Sequence, residues 1–273
     1  MFCEGKTYEN VSARKKLKYK KLYVGDFVDF DEKEGVINDV FERKNSLIRP
    51  PLANIDKMFV VVAVKPKPDF MLVDKLIIHA LNNNIEPILV VNKIDIASKE
   101  FLQDIHSQYD EVLPVYETSV LDGKALSILE DELDGNLCIF VGQSAVGKSS
   151  LINIIVPNVN REVGELSAKT ARGKNCTRES QIYAMKNFRI ADTTGFSSLE
   201  LKTINKEQLT DFFTEIKKIS VKCSYNTCNH VGEDEKICAV KRAVAEGKLN
   251  KQRYERYVEL FKELKEWEKK RYG

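Results

Sequence analysis

The chain has 273 residues, of which 43% are hydrophobic and 31% are charged, and its formal net charge is +2. This composition is typical of a globular protein with one large domain and one or two small ones, and it excludes a disordered chain. No apolar run reaches the ~20 residues that a membrane span needs, and the first residues lack a signal-peptide pattern. The sequence therefore predicts a cytoplasmic protein without membrane association, in which any polyanion binding depends on local basic patches.

Short β-strands separated by turns are predicted for the first domain, residues 1–52. The strand-like segments are Tyr23-Val24, Phe27–Phe30, Gly35–Ile37 and Ser46–Ile48. This pattern favours a small β-barrel of the OB type. The alternative is an irregular β arm docked on the next domain.

A basic segment lies within this first domain. Six cations surround Tyr19, namely Arg14, Lys15, Lys16, Lys18, Lys20 and Lys21, and no acidic residue lies between Asn10 and Gly25. Cations interleaved with an aromatic ring suit phosphate contacts and base stacking in a nucleic-acid site. A solvated basic face is the alternative.

Buried strands alternate with helices in the second domain, residues 53–203. Apolar runs typical of buried strands are Met58–Val64, Ile88–Val91 and Leu137–Val141, and helical patterns cover Leu72–Leu81 and Lys124–Leu133. Strands in alternation with helices predict a parallel, doubly wound α/β sheet.

The first chemical motif in this domain is Asn92-Lys93-Ile94-Asp95, which directly follows a predicted strand. Loops at that end of a strand bind ligands in α/β sheets. The Asp95 carboxylate can accept hydrogen bonds from N1 and N2 of guanine, Asn92 would hold the loop or contact the purine edge, and the Lys93 stem would cover the base. Ser119, in Thr118-Ser119-Val120 after the strand-like run Val112–Val115, belongs to a small-residue loop that would close over guanine. A surface turn is the alternative for the tetrapeptide alone.

A phosphate-binding loop comes second in the chain. The pattern G-x-x-x-x-G-K-S runs from Gly142 to Ser149, after the strand Leu137–Val141 and before a helical run, Leu151–Ile155. Backbone amides and the helix N-terminus would hold phosphate oxygens, Lys148 would reach the β- and γ-phosphates, and the Ser149 hydroxyl would ligate Mg²⁺. The predicted nucleotide-binding residues here are Gly142, Gln143, Ser144, Ala145, Val146, Gly147, Lys148, Ser149 and Ser150.

The third motif is Asp192-Thr193-Thr194-Gly195, after the strand-like run Phe188–Ala191. Asp192 would hold Mg²⁺ through water, and the Gly195 amide would meet the γ-phosphate. Phe196 follows, at the position where Ras-type GTPases carry the glutamine that orients the attacking water. Another group or a partner must therefore supply that role.

The order of these motifs is unusual. In an ordinary GTPase the phosphate loop comes first and the base-reading Asn-Lys-x-Asp near the end, whereas here the base reader precedes the other two. Because the termini of compact domains lie close together at the surface, a circular permutation can keep every loop in place. The sequence thus predicts a circularly permuted P-loop GTPase domain that binds GTP or GDP with Mg²⁺. Asp95 argues against the rival interpretation, a P-loop ATPase or kinase.

The third domain, residues 204–273, is predicted to be helical and to bind zinc. Cys223-x₄-Cys228-x-His230-x₇-Cys238 offers three thiolates and one imidazole, which is enough to close one structural Zn²⁺ site. The alternative is that these are ordinary core residues. Three further cysteines, Cys3, Cys138 and Cys176, lie apart from this cluster and are interpreted as small buried or incidental residues.

Taken together, the permuted motifs, the β-barrel before them and the cysteine–histidine cluster after them resemble the RsgA (YjeQ) family of ribosome-small-subunit-dependent GTPases, over essentially the whole chain. The resemblance implies a monomeric cytoplasmic GTPase that acts late in assembly of the small ribosomal subunit, with that subunit and its ribosomal RNA as partners. It favours ribosomal RNA contact for the basic segment. A non-catalytic RNA-binding scaffold that keeps GTP as a structural ligand is the alternative function.

The resemblance also assigns a switch I segment, Arg172–Arg178. Family members usually have histidine followed by two threonines where this chain has Asn175-Cys176-Thr177. Thr177 is the candidate that senses Mg²⁺ and the γ-phosphate, and Asn175 stands where the family histidine is proposed to assist hydrolysis. The candidate catalytic set is Lys148, Asn175, Thr177 and Gly195, and the magnesium set is Ser149, Thr177 and Asp192. The last gap of the zinc pattern is longer here than in the family by two residues.

Overall fold

A computed structural model describes residues 2–3, 6–8, 11–17, 21–122, 125–156, 181–192, 201 and 203–272. A six-stranded sheet with helices on both faces forms the centre of the molecule. Small sheets precede it in the chain, and a helical unit follows it.

The N-terminal strands are short. They are β1 (Phe2–Cys3), β2 (Lys6–Thr7), β3 (Ser12–Ala13), β4 (Val28–Asp31), β5 (Val36–Val40), β6 (Ser46–Leu47) and β7 (Leu52–Ala53), with one 3₁₀ turn at Lys15–Leu17. In the part of the chain that is described, β1 pairs with β2, β3 and β4 flank β5, and β6 pairs with β7. These are separate small sheets, so the closed OB-type barrel stays a prediction.

The end of this region is fixed to the central sheet. Leu47 and Leu52 are 1% and 0% exposed and belong to the same apolar core as the strands that follow. Gly25 adopts φ +95°, and a Cβ there would lie 2.2 Å from the Ala53 carbonyl oxygen. The Asn54 side chain donates to the Gly25 carbonyl at 2.9 Å. The residues around the first domain boundary therefore pack against the second domain rather than forming a loose linker.

The central sheet has the strand order β10-β9-β8-β11-β13-β12. Its members are β8 (Lys57–Ala63), β9 (Glu86–Asn92), β10 (Val115–Glu117), β11 (Leu137–Val141), β12 (Gln181–Ala184) and β13 (Arg189–Asp192). All neighbouring pairs are parallel except β12 with β13 at the edge. The predicted parallel α/β sheet is thus present, and the antiparallel edge strand is the exception.

Alternate side chains of the strands face opposite helical layers. In β8, Met58, Val60 and Val62 pack with helices α1 (Phe70–Asn82) and α2 (Lys99–Tyr109). Phe59, Val61 and Ala63 pack with α3 (Ala125–Leu133) and α4 (Lys148–Ile155) on the other face. Because both faces are covered, the strands are apolar throughout, as parallel sheets require.

Two details differ from the sequence expectation. Helix α2 was not predicted, because Ile105 and Tyr109 are its only fully buried apolar residues. The helix begins after Ser98, whose hydroxyl accepts a hydrogen bond from the Phe101 amide at 3.2 Å. Strand β10 begins at Val115 rather than at Val112, because Val112 and Leu113 both donate to the Tyr109 carbonyl in the turn that ends α2.

The C-terminal unit is helical, as predicted. It comprises a 3₁₀ helix at Lys206–Phe212 and helices α5 (Thr214–Ser220), α6 (Ala239–Ala245) and α7 (Lys251–Tyr272). Its core contains the residues whose helical spacing is visible in the sequence, including Leu209, Phe213, Ile216, Phe261 and Leu264. Within the described ranges, no helix has both the length and the apolar character to cross a membrane.

A buried cluster of charges joins this unit to the nucleotide-binding domain. Asp74 of α1 and Arg253 of α7 are each 1% exposed and form an ion pair. The other oxygen of Asp74 accepts from Arg256 Nε at 2.5 Å, and Tyr109 Oη donates to Asp74 at 2.8 Å. Arg253 also donates to Glu215 of α5 at 3.0 Å. Two carboxylates and two guanidinium groups therefore neutralise each other across three helices, and Tyr109 of α2 adds a neutral hydrogen bond.

Replacing Asp74 with alanine should lower the free energy of unfolding by about 3–5 kcal/mol, because Arg253 and Arg256 would lose the carboxylate they share inside the protein. Urea denaturation, followed through the fluorescence of Trp267, the only tryptophan, measures this. The control Lys217→Ala breaks an exposed ion pair with Asp211 and should cost less than about 1 kcal/mol. Equal losses in the two variants would show that the buried cluster contributes no more than a surface pair.

Candidate nucleotide-binding site and metal centre

The base-reading motif, the phosphate loop and Asp192 of the third motif lie at one edge of the central sheet. Strands β9, β10, β11 and β13 are mutually parallel, so their carboxyl ends meet at the same edge. They end at Asn92, at Glu117 before Thr118, at Val141 before Gly142, and at Asp192. The strand order places the base-reading loops on one side of the phosphate loop and Asp192 on the other. The permuted chain therefore builds one continuous site.

Two glycines allow the phosphate loop its shape. Gly142 has φ +135°, and a Cβ there would lie 2.3 Å from the Val61 carbonyl oxygen. Gly147 has φ +100°, and a Cβ there would lie 2.2 Å from the Asn92 side-chain nitrogen. Any larger residue would push the loop away from β8 or from the base reader. Helix α4 then starts at Lys148, which puts Ser149 and Ser150 in its first turn.

Lys148 is held inside the phosphate loop. Its Nζ donates to the carbonyl oxygens of Gly142 at 2.8 Å and Gln143 at 2.5 Å. Burial lowers the pKa of Lys148 from its ordinary value, and a nearby phosphate would raise it again because an anion favours the charged ammonium. The loop thus presents a positioned cation, with amides of a helix N-terminus beside it.

The base reader is tied to the phosphate loop by side chains. Asn92, fully buried, donates to the Val146 carbonyl at 2.9 Å. Lys93 has φ +61°, and its Nζ donates to the carbonyls of Ala145 at 2.7 Å and Lys65 at 2.9 Å. Asn92 therefore acts on the loop, one of the two roles that the sequence left open. The Lys93 contacts could not be read from the sequence, because their partners are backbone atoms.

Asp95 is exposed and oriented by Ser119. Ser119, only 2% exposed, donates its hydroxyl to Asp95 Oδ1 at 2.5 Å. Thr118 is fixed in turn by its amide, which donates to the Val91 carbonyl at 2.8 Å. Ile94 continues from Lys93 into the 3₁₀ turn Ile94–Ile96. The carboxylate is thus held as an acceptor at the mouth of the site, where a donor pair such as guanine N1 and N2 would meet it.

Asp192 ends β13, next to β11 and its phosphate loop. This is the position expected for a carboxylate that holds Mg²⁺ through water. The remaining switch residues, Asn175, Thr177, Gly195 and Phe196, lie outside the described residues. Their assigned roles stay predictions.

The second site is the cysteine–histidine cluster. The ligand atoms of Cys223, Cys228, His230 and Cys238 all lie within 4.8 Å of one another. His230 Nδ1 is 3.6 Å from Cys223 Sγ and 3.5 Å from Cys238 Sγ. Tetrahedral zinc with its usual bond lengths would separate sulfur and nitrogen ligands by about 3.6 Å. The residues therefore fit a zinc ion.

The surroundings of the cluster also suit a cation. The amides of Ala239 and Lys241 donate to the sulfur atoms of Cys223 at 3.3 Å and Cys238 at 3.5 Å, which stabilises thiolates. Burial and the neighbouring cysteine groups raise the pKa of Cys228 to about 12. Three adjacent thiolates are hence unfavourable unless a metal ion balances them. The longer last gap before Cys238 does not prevent the four side chains from converging.

The loop that carries His230 is braced from two directions. The Glu233 carboxylate accepts from the amides of Asn229, Val231 and Gly232 at 2.8, 2.9 and 3.1 Å. Tyr254 of α7 donates to the His230 carbonyl at 2.7 Å. The predicted metal residues are therefore held by the helical core even though they lie on irregular backbone.

The predicted basic segment is only partly described. Arg14 forms an exposed ion pair with Glu34 at 3.1 Å, and residues 18–20 lie outside the described part. Lys21, the last cation of the segment, lies over the ring of Tyr23 at 5.6 Å from its centre, and Arg43 lies over the same ring at 4.1 Å. Arg43 was missed by the sequence analysis because it is distant in the chain from the other cations.

A phosphate loop, a guanine-type base reader and a Mg²⁺-type aspartate, gathered from a permuted chain at one sheet edge, define the class of circularly permuted P-loop GTPases. The sequence model of the RsgA GTPase family matches residues 40–202. This chain therefore belongs to the RsgA GTPase family, and it is a GTPase.

Relatives and solved structures agree with this assignment. A protein of Caldanaerobacter subterraneus named "Small ribosomal subunit biogenesis GTPase RsgA" is 39% identical, over 91% of this chain and 85% of the relative. A relative of the same name in Alkaliphilus metalliredigens is 39% identical, with coverage of 91% and 88%. The crystal structure of YjeQ from Thermotoga maritima superposes with a TM-score of 0.79 at 33% identity, over 92% of this chain and 88% of that one. YloQ, described as a circularly permuted GTPase, gives 0.75 at 33%, over 92% and 84%.

Asp95→Asn should shift base preference from guanine toward xanthine, because a carboxamide no longer accepts from both guanine donors but suits the altered xanthine edge. Competition of GTP, XTP and ATP for the site measures the change. Glu111→Gln, which removes an exposed carboxylate beyond the far end of α2, is the matched control and should keep guanine preference. Unaltered selectivity in Asp95→Asn would assign base recognition to other groups.

Proposed function

We propose that this protein binds the small ribosomal subunit and hydrolyses GTP during late maturation of that subunit, with the nucleotide state controlling its release. The proposal is supported by the name of relatives that share most of their length with this chain. The observation that carries it is the convergence of the base-reading loop, the phosphate loop and Asp192 at the carboxyl edge of the sheet. A cytoplasmic location follows from a ribosomal partner, and we propose a monomer.

The proposed roles in hydrolysis follow from charge. Lys148 stabilises the negative charge that develops on the transferred phosphate, and the loop amides hold its oxygens in position. Ser149, Thr177 and Asp192 would hold Mg²⁺, which would supply further charge neutralisation at the phosphates. The Gly195 amide would meet the γ-phosphate. With Phe196 at the usual glutamine position, the carboxamide of Asn175 would orient the attacking water when the subunit is bound.

The proposed arrangement has three domains: an OB-type barrel at 1–52, the permuted GTPase domain at 53–203 and a zinc-binding helical domain at 204–273. The barrel contacts ribosomal RNA through the segment Arg14 to Lys21. Support comes from Lys21, which lies over the ring of Tyr23 at the end of the segment, since cations and aromatic rings suit phosphates and bases.

One zinc ion is proposed to be structural. Four protein ligands leave no position for a reactive water, so its role is to hold the loop against the helices. The ligand set Cys223, Cys228, His230 and Cys238 fits this role because the cluster is packed beside Tyr254 and the core of the third domain.

Free protein should hydrolyse GTP slowly, and small subunits should stimulate multiple turnover, because the water-orienting segment needs the subunit. Asn175→Ala should lose most of that stimulation while it keeps its GTP affinity. Turnover assays with and without subunits, together with a direct GTP-binding measurement, test both statements. Asn175→His is the complementary variant and should match or exceed the parent rate. If subunits stimulate Asn175→Ala as strongly as the parent, the attacking water is oriented by the backbone or by the ribosome and not by Asn175. If subunits do not stimulate the parent protein, the proposed function is contradicted.

Zinc removal should unfold the third domain without abolishing nucleotide binding, because the phosphate loop belongs to a separate core. Elemental analysis of the purified protein should give about one zinc per chain. Chelation should then reduce the helical circular dichroism signal without preventing GDP binding. Less than about half an equivalent of metal under metal-replete conditions would count against a structural zinc site.

A further inference from the structure

Helix α1 lies between the central sheet and the C-terminal unit. Leu72, Leu76 and Ile77 belong to the apolar core of the sheet. Ile78 is buried in the core of the C-terminal unit, with Met71 packed against the same core. Residues on two faces of one helix therefore belong to two different cores, and α1 cannot shift against the sheet without disturbing the C-terminal unit.

Polar contacts connect the face of α1 that packs on the C-terminal unit to its surroundings, along the length of the helix. Asp74 is paired inside the protein with Arg253 and Arg256 of α7. Lys75 pairs with Glu263 at 2.8 Å, one helical position further along. At the other end of the helix, Asn82 donates to Thr203 at 3.2 Å. These contacts make α1 and α7 one mechanical unit.

The start of α1 is held by the phosphate loop through Gln143. The Asp69 amide donates to Gln143 Oε1 at 2.9 Å, and Gln143 Nε2 donates to the Lys67 carbonyl at 3.3 Å. Asp69 in turn caps α1, because its carboxylate accepts from the Leu72 amide at 3.0 Å. The side chain of one phosphate-loop residue thus spans the turn that begins the helix.

The backbone of the same residue faces the phosphate site. The Gln143 carbonyl accepts from Lys148 Nζ at 2.5 Å, and Lys148 must also satisfy the phosphates when a nucleotide is bound. A change in the position of Lys148 or of the phosphate loop therefore displaces Gln143 directly. This displacement then acts on the cap of α1, and α1 acts on α7.

We propose that Gln143 is a positioning residue that transmits occupancy of the phosphate loop through α1 to the C-terminal unit. The inference deepens the proposed nucleotide-controlled release and rests on it. The connection starts in the phosphate loop and is separate in the chain from the Asp192–Gly195 motif. Thermodynamic coupling between two sites is reciprocal. If bound nucleotide shifts the conformational equilibrium of the C-terminal unit by some factor, a shift of that unit changes nucleotide affinity by the same factor.

Hydrogen exchange of the α7 amides, measured with and without saturating GDP, tests the proposal. In the parent protein GDP should slow α7 exchange by about threefold to tenfold, the scale of ordinary coupling between sites. In Gln143→Ala the response of α7 should fall to less than about half of that, while amides of α4 stay protected by bound GDP. The matched control is Lys67→Ala, which removes an exposed side chain but keeps the carbonyl that Gln143 contacts. It should behave as the parent does.

A full α7 response in Gln143→Ala, with GDP bound, would overturn the proposal. A second variant tests it from the other side if Gln143→Ala binds GDP poorly. Arg256→Lys loses part of the contact with Asp74 and Gln108, and it should weaken GDP binding by about threefold through linkage. Unchanged GDP affinity in Arg256→Lys would overturn the proposal as well. Ribosomal subunits take no part in these measurements, so their outcome is distinct from that of the subunit-stimulation assay.

Discussion

The carboxyl edge of the parallel sheet is the constraint on which the rest of the structure depends. Parallel strands deliver their following loops to one edge, whatever order the chain visits them. Asn92, Gly142 and Asp192 meet there although their order in the chain is permuted. The site is closed by contacts between loops, with Asn92 bound to Val146 and Ser119 bound to Asp95. Geometry at the sheet edge, and not the order of motifs, makes the protein a GTPase.

The second organising feature is the burial of charge between domains. Arg253 is almost fully enclosed, and such a group is tolerated only because Asp74 and Glu215 face it while Tyr109 and Phe213 cover its guanidinium. Charge pairing of this kind sets orientation more narrowly than apolar packing, since misalignment would leave a buried charge without a partner. The C-terminal unit therefore meets α1 and α2 in one defined arrangement, which is what a mechanical connection to the nucleotide site requires.

Much of this could be predicted from the sequence. The buried strands at 58–64 and 137–141 and the helix at 72–81 follow from apolar periodicity, because coverage on two faces demands continuous apolar runs. The motif residues were found because each chemical role restricts residue type: only glycine fits where Gly142 approaches Val61, and thiolates and imidazole are the usual ligands of structural zinc. Helix α2 was not predicted from the sequence because just two of its apolar residues are buried.

What the sequence by itself determined is the class of protein, since the motifs and the cysteine–histidine spacing encode which chemistry is available. The tertiary structure alone decided how those parts are joined. The partners of Lys93 and Gln143 are backbone carbonyls and amides. Because such groups occur all along the chain, the residue types in the sequence do not reveal these contacts. The charged partners of Asp74, Arg253 and Arg256, lie more than a hundred residues away, and charged residues on helices are usually solvated. The ion pairs of Asp74 depend on the packing of the helices, which excludes water from around the charges, and that packing is a property of the tertiary structure.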